Sequence, residues 1–104
     1  MVGLLVLWAI LMYEIFNNEI GKASVEEVDG KLFFHYESRM WSPSIYKKLL
    51  QVWALITKHI KEMGYDEVYV AIPDNDPKLY KFEQMFCFEE VYRSDGTILM
   101  VREL

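Results

Sequence analysis

Cysteine occurs once in these 104 residues, at Cys87. No internal disulfide can form, and no cysteine-based metal pattern can be written. That scarcity predicts a reducing, cytoplasmic setting. Basic charge is short as well: 11 Lys and Arg stand against 16 Asp and Glu, a net charge of -5 with a pI near 5.0. The balance excludes a nucleic-acid backbone or an anionic membrane surface as main partner. No apolar run reaches the roughly 20 residues of a membrane-spanning helix. Val2 to Tyr13 is uncharged, but it has no basic stretch before it and no small-residue cleavage pattern after it. It reads as a buried strand or core segment rather than an anchor. Because it is apolar on every face, periodicity leaves helix and strand both open for Leu4 to Ala9. Repeats, low-complexity tracts and linkers are missing too, which predicts a single domain over residues 1–104. What the chain does have is apolar mass, 53% of its residues. That is ample for a packed core and excludes wholesale disorder.

Local signals order the rest. Tyr13 to Phe16, Asn17-Asn18 and Ile20 to Val25 read as strand, tight turn, strand, since Asn tolerates the positive φ that hairpin turns use. Asp29-Gly30 predicts a second hairpin, returning through Lys31 to Tyr36, a segment rich in strand-favouring aromatics. Ser42 followed by Pro43 predicts a helix start, with a capping hydroxyl and then a residue whose missing N–H costs nothing there. Ile45, Leu49, Val52, Trp53, Ile56, Ile60 and Met63 recur at helical spacing as one buried stripe, opposite Lys47, Lys48, Gln51, Lys58, Lys61 and Glu62. Gly64 closes that helix. Glu67 to Ile72 is a strand stopped by Pro73, and its strand–helix–strand context predicts parallel pairing with the Leu32 strand. Asp76-Pro77 repeats the cap-plus-proline start, and Leu79, Phe82 and Phe86 give a short second helix its apolar face. Phe88 to Tyr92 and Ile98 to Val101, joined through Ser94 to Thr97, form a terminal hairpin. The sum is an α+β fold: a mixed, mostly antiparallel sheet of about six strands, with a long and a short helix.

This order resembles the GNAT-type N-acetyltransferases from their second strand onward, across Met12 to Leu104. In that family a loop of form Q/R-x-x-G-x-G/A opens a long helix, and its N–H groups hold the pyrophosphate of coenzyme A. Arg39 takes the Q/R position, Ser42 the first glycine position and Ser44 the Gly/Ala position. The resemblance therefore implies acetyl-CoA as cofactor, bound by Arg39, Met40, Trp41, Ser42 and Ser44, with Asn75 matching the asparagine after the later strand. Lys81 to Phe88 resembles K-F-x-x-x-x-G-F, with Cys87 in place of glycine. Three departures stand out. Two serines replace glycines where backbone must approach phosphate, and Pro43 deletes one N–H. The position of the family's general-acid tyrosine is Glu83, which leaves Tyr80 as the nearest tyrosine. The family's first strand and first two helices are largely missing, with Met1 to Leu11 in their place. Small proteins encoded by some tailed phages are similar to this shortened form.

Each candidate also has a plainer reading. The 39–44 loop binds phosphate, or is an ordinary strand-to-helix junction capped by Ser42. Tyr80 is a proton donor to a departing thiolate, or a half-buried helix tyrosine. Trp41 covers an adenine ring, packs under the helix start, or anchors a protein partner. Glu14, Glu26, Glu27 and Glu37 read as solvated carboxylates, His35 as a satisfied half-buried histidine and His59 as surface. Cys87, between Phe86 and Phe88, reads as a buried inert thiol. Two functions follow. One is an acetyl-CoA-dependent N-acyltransferase acting on an amine. The other is a catalytically inactive GNAT-like module for structure or protein interaction, of phage origin. In either, a homodimer would complete the sheet or cover exposed core.

Overall fold

The computed structural model describes residues 12–104. Strands β1 (Met12–Asn17), β2 (Gly21–Val28) and β3 (Lys31–Ser38) form an antiparallel meander. Helix α1 (Pro43–Glu62) carries the chain to β4 (Glu67–Pro73), and helix α2 (Pro77–Met85) to the hairpin β5 (Glu89–Ser94) and β6 (Thr97–Glu103). The six strands make one sheet in the order β1-β2-β3-β4-β6-β5. This is the mixed six-stranded α+β architecture that the sequence predicts. The expectations for Val2 to Leu11, including helix or strand at Leu4 to Ala9, lie outside the described residues.

The turns obey their chemistry. Asp29 and Gly30 take φ of 51° and 78°, and Asp95 and Gly96 take 52° and 79°. Two consecutive positive values match the right-handed twist of the flanking strands. The β1–β2 turn differs from its expectation. No asparagine there has positive φ. Instead the Ile20 N–H donates to Asn18 Oδ1 at 2.9 Å, so a side chain closes a longer turn.

Both helices start as predicted. Ser42 Oγ accepts from the Ile45 N–H at 3.1 Å, and Asp76 Oδ1 from the Leu79 N–H at 3.1 Å, each with proline next. Helix α1 buries Leu49 and Trp53 against Val68, Val70, Ile72, Ile98 and Met100, and Ile60 on the side of Val25 and Leu32. The Trp53 ring packs at a tilt against Phe34 and Phe88, with centroids 4.7 Å and 5.7 Å away. Arg102 Nη1, from β6, donates to the Phe86 carbonyl at 2.9 Å and so satisfies the end of α2.

Two burial expectations also need correction. Met63 is 59% exposed, because it is the C-cap of α1 and lies beyond the last turn that faces the sheet. Cys87 is exposed rather than buried. Its φ of 68° turns the chain left-handed after α2, which carries Phe86 and Phe88 inward and the thiol outward.

Candidate functional site

β3 and β4 are the parallel neighbours of the sheet, and their register pair is Phe33 with Tyr69. Beyond that pair they diverge towards their carboxyl ends. A cleft of about 300 Å³ opens in the gap, lined by Phe34 to Glu37 on one side and Val70 to Ile72 on the other. The cleft passes through the sheet. Phe34, Tyr36 and Ile72 belong to the helix-covered face, with Leu79 and Glu83 of α2 closing that end. Lys22, Ser24, His35 and Glu37 line the opposite mouth. A gap at the carboxyl ends of parallel strands, beside a helix amino terminus, is where backbone groups and dipoles converge on a ligand.

The loop from β3 to α1 sits at this same edge. The Arg39 and Met40 N–H groups both donate to the Ile20 carbonyl, at 2.9 and 3.2 Å. Ser42 Oγ is the helix cap and lies 3.0 Å from Ser44 Oγ. Among the described residues the N–H groups of Trp41, Ser42 and Ser44 have no protein acceptor, and Pro43 has none to offer. The Arg39 side chain turns back to the β1–β2 turn: Nη1 donates to Asn17 Oδ1 at 2.6 Å and to the Asn18 carbonyl at 2.8 Å. Trp41 is 49% exposed, with its ring edge-on to Phe82 at 5.4 Å and 5.9 Å from Tyr46. Of its three readings, packing at the helix start is the contact made within the chain.

The other candidates scatter. Asn75 is exposed in the turn between β4 and α2. Tyr80 is half buried, and its hydroxyl faces Glu90 of β5 rather than the cleft. The Tyr80 and loop candidates therefore do not meet around one reacting atom. His35 is exposed and pairs with Glu26 at 3.2 Å, instead of being half buried. Glu14 lies 3.7 Å from Lys22, and Glu27 accepts from the Tyr65 hydroxyl at 2.7 Å. Among the described residues no group of His, Cys, Asp or Glu converges on a metal position.

Glu83 carries no expected role from sequence alone. It is 6% exposed, the buried charged side chain among the described residues, and it lines the cleft. Burial pushes its carboxyl up to about 7. Its position was legible. Leu79, Phe82 and Phe86 define the apolar arc of α2, and Glu83 falls inside that arc four residues after Leu79.

No protein-family model matches the chain, and no curated protein sequence matches it. Solved structures do. A domain from Methanocaldococcus jannaschii DSM 2661 superposes with a TM-score of 0.66 at 13% identity, over 100% of this chain and 76% of that one. A GNAT family acetyltransferase from Elizabethkingia anophelis, solved with acetyl-CoA bound, superposes with a TM-score of 0.58 at 16% identity, over 98% of this chain and 82% of that one. The fold is GNAT-like. In GNAT-like terms, the loop at Arg39 to Ser44 opens the long helix, and the splayed pair β3–β4 forms the central gap. No helix among the described residues is long and apolar enough to cross a membrane.

Proposed function

We propose that residues 1–104 form one GNAT-like domain that binds acetyl-CoA and transfers its acyl group to an amine, in the cytoplasm. One observation carries this reading: the cleft between β3 and β4 opens at the carboxyl end of β3, and the loop that leads from that end into α1 carries three amides without a protein acceptor. The fit to a pyrophosphate is sound on donors. The N–H groups of Trp41, Ser42 and Ser44 and the positive end of a 20-residue helix face an anion. The two serine hydroxyls add donors where glycines would have given closer approach. Arg39 joins them by exchanging its bonds to Asn17 and Asn18 for a phosphate oxygen. Met40 contributes through its position in the loop, since Ile20 already holds its amide. Asn75 lies on the turn that follows β4 and supplies a side-chain amide to the cofactor.

Acetyl-CoA, when bound, supplies the activated acyl group. The protein's share is positioning and electrostatics. The β3-facing N–H groups of β4 beyond Tyr69 stabilise charge on the acyl oxygen. Tyr80 serves as proton donor only after its hydroxyl turns from Glu90 towards the cleft. Thermal unfolding of the full chain with and without millimolar acetyl-CoA tests the reading. A ligand at 100 times its Kd stabilises by about 2.7 kcal/mol, a readily measured rise in Tm. An unchanged Tm at that concentration would remove it.

The second reading is a GNAT-like module without chemistry, similar to small phage-encoded proteins and working as a homodimer. What supports it is Arg39, whose side chain already has a structural task at the β1–β2 turn.

A further inference from the structure

We propose that the cleft between β3 and β4 is a binding site for a primary ammonium group on an aliphatic chain, and that Glu83 is the residue that recognises it. The inference rests on the acyltransferase reading only in naming that ammonium the acceptor.

Charge accounting along the cleft supports the choice of a cation. Lys22 lines the far mouth, but Glu14 lies 3.7 Å from its ammonium. His35 lines the same mouth and pairs with Glu26 at 3.2 Å. The remaining charged groups of the lining are the exposed Glu37, which faces Lys22 across the β2–β3 ladder, and the buried Glu83, and among the described residues neither has a cation within 4 Å. The mouth of the lining thus holds exposed groups of both signs, whereas Glu83, the buried carboxylate, has no cation beside it.

Glu83 is the decisive member. It is 6% exposed, its carboxylate has no hydrogen-bond donor among the described residues, and it faces the cleft. A carboxyl in that state costs stability unless something compensates it. Natural helices seldom keep such a residue on an apolar arc when leucine would pack. The walls beside it are apolar: Ile72 and Leu79 in the cleft, and Phe82 and Phe86 beyond. An ammonium group could donate to the Glu83 carboxylate while its methylenes lie along Ile72 and Leu79. A neutral alcohol would gain the apolar contact without the charge, and a phosphate would meet two like charges.

The groups facing Glu83 set the pH response. β2 brings Lys22, and β3 brings His35, Glu37 and Tyr36, whose phenol burial raises above its ordinary value, so that it stays neutral across the range. β4 and α1 bring Val70, Ala71, Ile72, Leu49, Val52, Trp53 and Ile56, none of which titrates. A cation binds the ionised carboxylate. Since the carboxyl titrates at about 7, affinity should rise from pH 6 to pH 8.

The test is a two-dimensional NMR titration of the full chain with n-butylammonium chloride, using n-butanol as the uncharged control of similar shape. The expected result is saturable movement of the Phe34, Ile72, Leu79 and Glu83 amides. Butylammonium should bind about tenfold or more tighter than butanol. Its affinity should grow about tenfold between pH 6 and pH 8. The Glu83→Gln variant should lose that pH dependence and bind both probes alike, whereas His35→Gln should keep the wild-type profile. Equal binding of the two probes by the wild-type protein, or a pH dependence that disappears in His35→Gln, overturns the proposal even if Glu83→Gln does not fold. Acetyl-CoA binding is read separately by thermal unfolding. Butylammonium binding without acetyl-CoA binding leaves the cation site standing and removes the acyltransferase reading. Acetyl-CoA binding without butylammonium binding does the reverse.

Discussion

Replacing Glu83 by glutamine should change how stability depends on pH, and the size of the change follows from the burial of this one carboxyl. In the folded chain the group titrates at about 7, against an ordinary value of 4.5. The folded state therefore holds its proton more tightly than the unfolded state, so stability falls as pH rises through this window. Below pH 4.5 the carboxyl is protonated in both states and costs nothing. Between 4.5 and 7 the penalty grows. Above 7 it is complete, and 2.5 units at 1.36 kcal/mol per unit give about 3 kcal/mol. Glutamine keeps the shape without the charge. Wild type and Glu83→Gln should thus have similar stability at pH 4.5, while at pH 8 the variant should be more stable by about 3 kcal/mol. For a chain of this size that is a Tm difference of ten degrees or more. Urea unfolding of both proteins from pH 4.5 to 8 reads it directly. Subtracting the curves cancels other groups, including Glu90, which Arg93 holds below the usual carboxylate range in both proteins. Curves that run parallel across the window would refute the argument and place the carboxylate in water.

Three further substitutions probe separate features. Arg39→Ala should weaken acetyl-CoA binding by about tenfold in calorimetry, because a charge-assisted phosphate contact is lost. Its stability should fall by less than about 1 kcal/mol, since the bonds to Asn17 and Asn18 are exposed. Gly21→Ala should destabilise by about 1–3 kcal/mol in urea unfolding, because the new methyl would collide with the Glu37 carbonyl and sit 2.7 Å from the Tyr36 hydroxyl. Asp76→Ala removes the cap on the Leu79 N–H and should cost about 1 kcal/mol in the same assay.

The elements that carry local signals were readable from the chain alone. Asp29-Gly30, Ser42-Pro43, Gly64 and Asp76-Pro77 each solve a backbone problem within four residues, so sequence and structure agree there. The parallel contact of β3 with β4 was also legible, because a helix of 20 residues between two strands returns the second in the same direction. Non-local geometry was less so. Spacing places Met63 on the buried stripe of α1, but the helix ends one residue earlier and leaves it outside the packed interface. Flanking phenylalanines suggest a buried Cys87, yet the left-handed turn at that residue reverses which side chains face in. Residue type alone points to Tyr80, while the direction of its hydroxyl depends on where β5 lies. The chemistry of Glu83 disagrees with its position. A carboxylate on an apolar arc is where local rules fail, and such failures concentrate at functional sites.

The central claim is that the edge where α1 begins and β3 parts from β4 accepts the thioester cofactor. Amide chemical-shift mapping with saturating acetyl-CoA tests it most directly. The account predicts that the moving signals include Trp41, Ser42 and Ser44, together with Phe34 to Glu37 and Val70 to Ile72. Signals that move instead around Leu55 and Met63, or along β5, would contradict it.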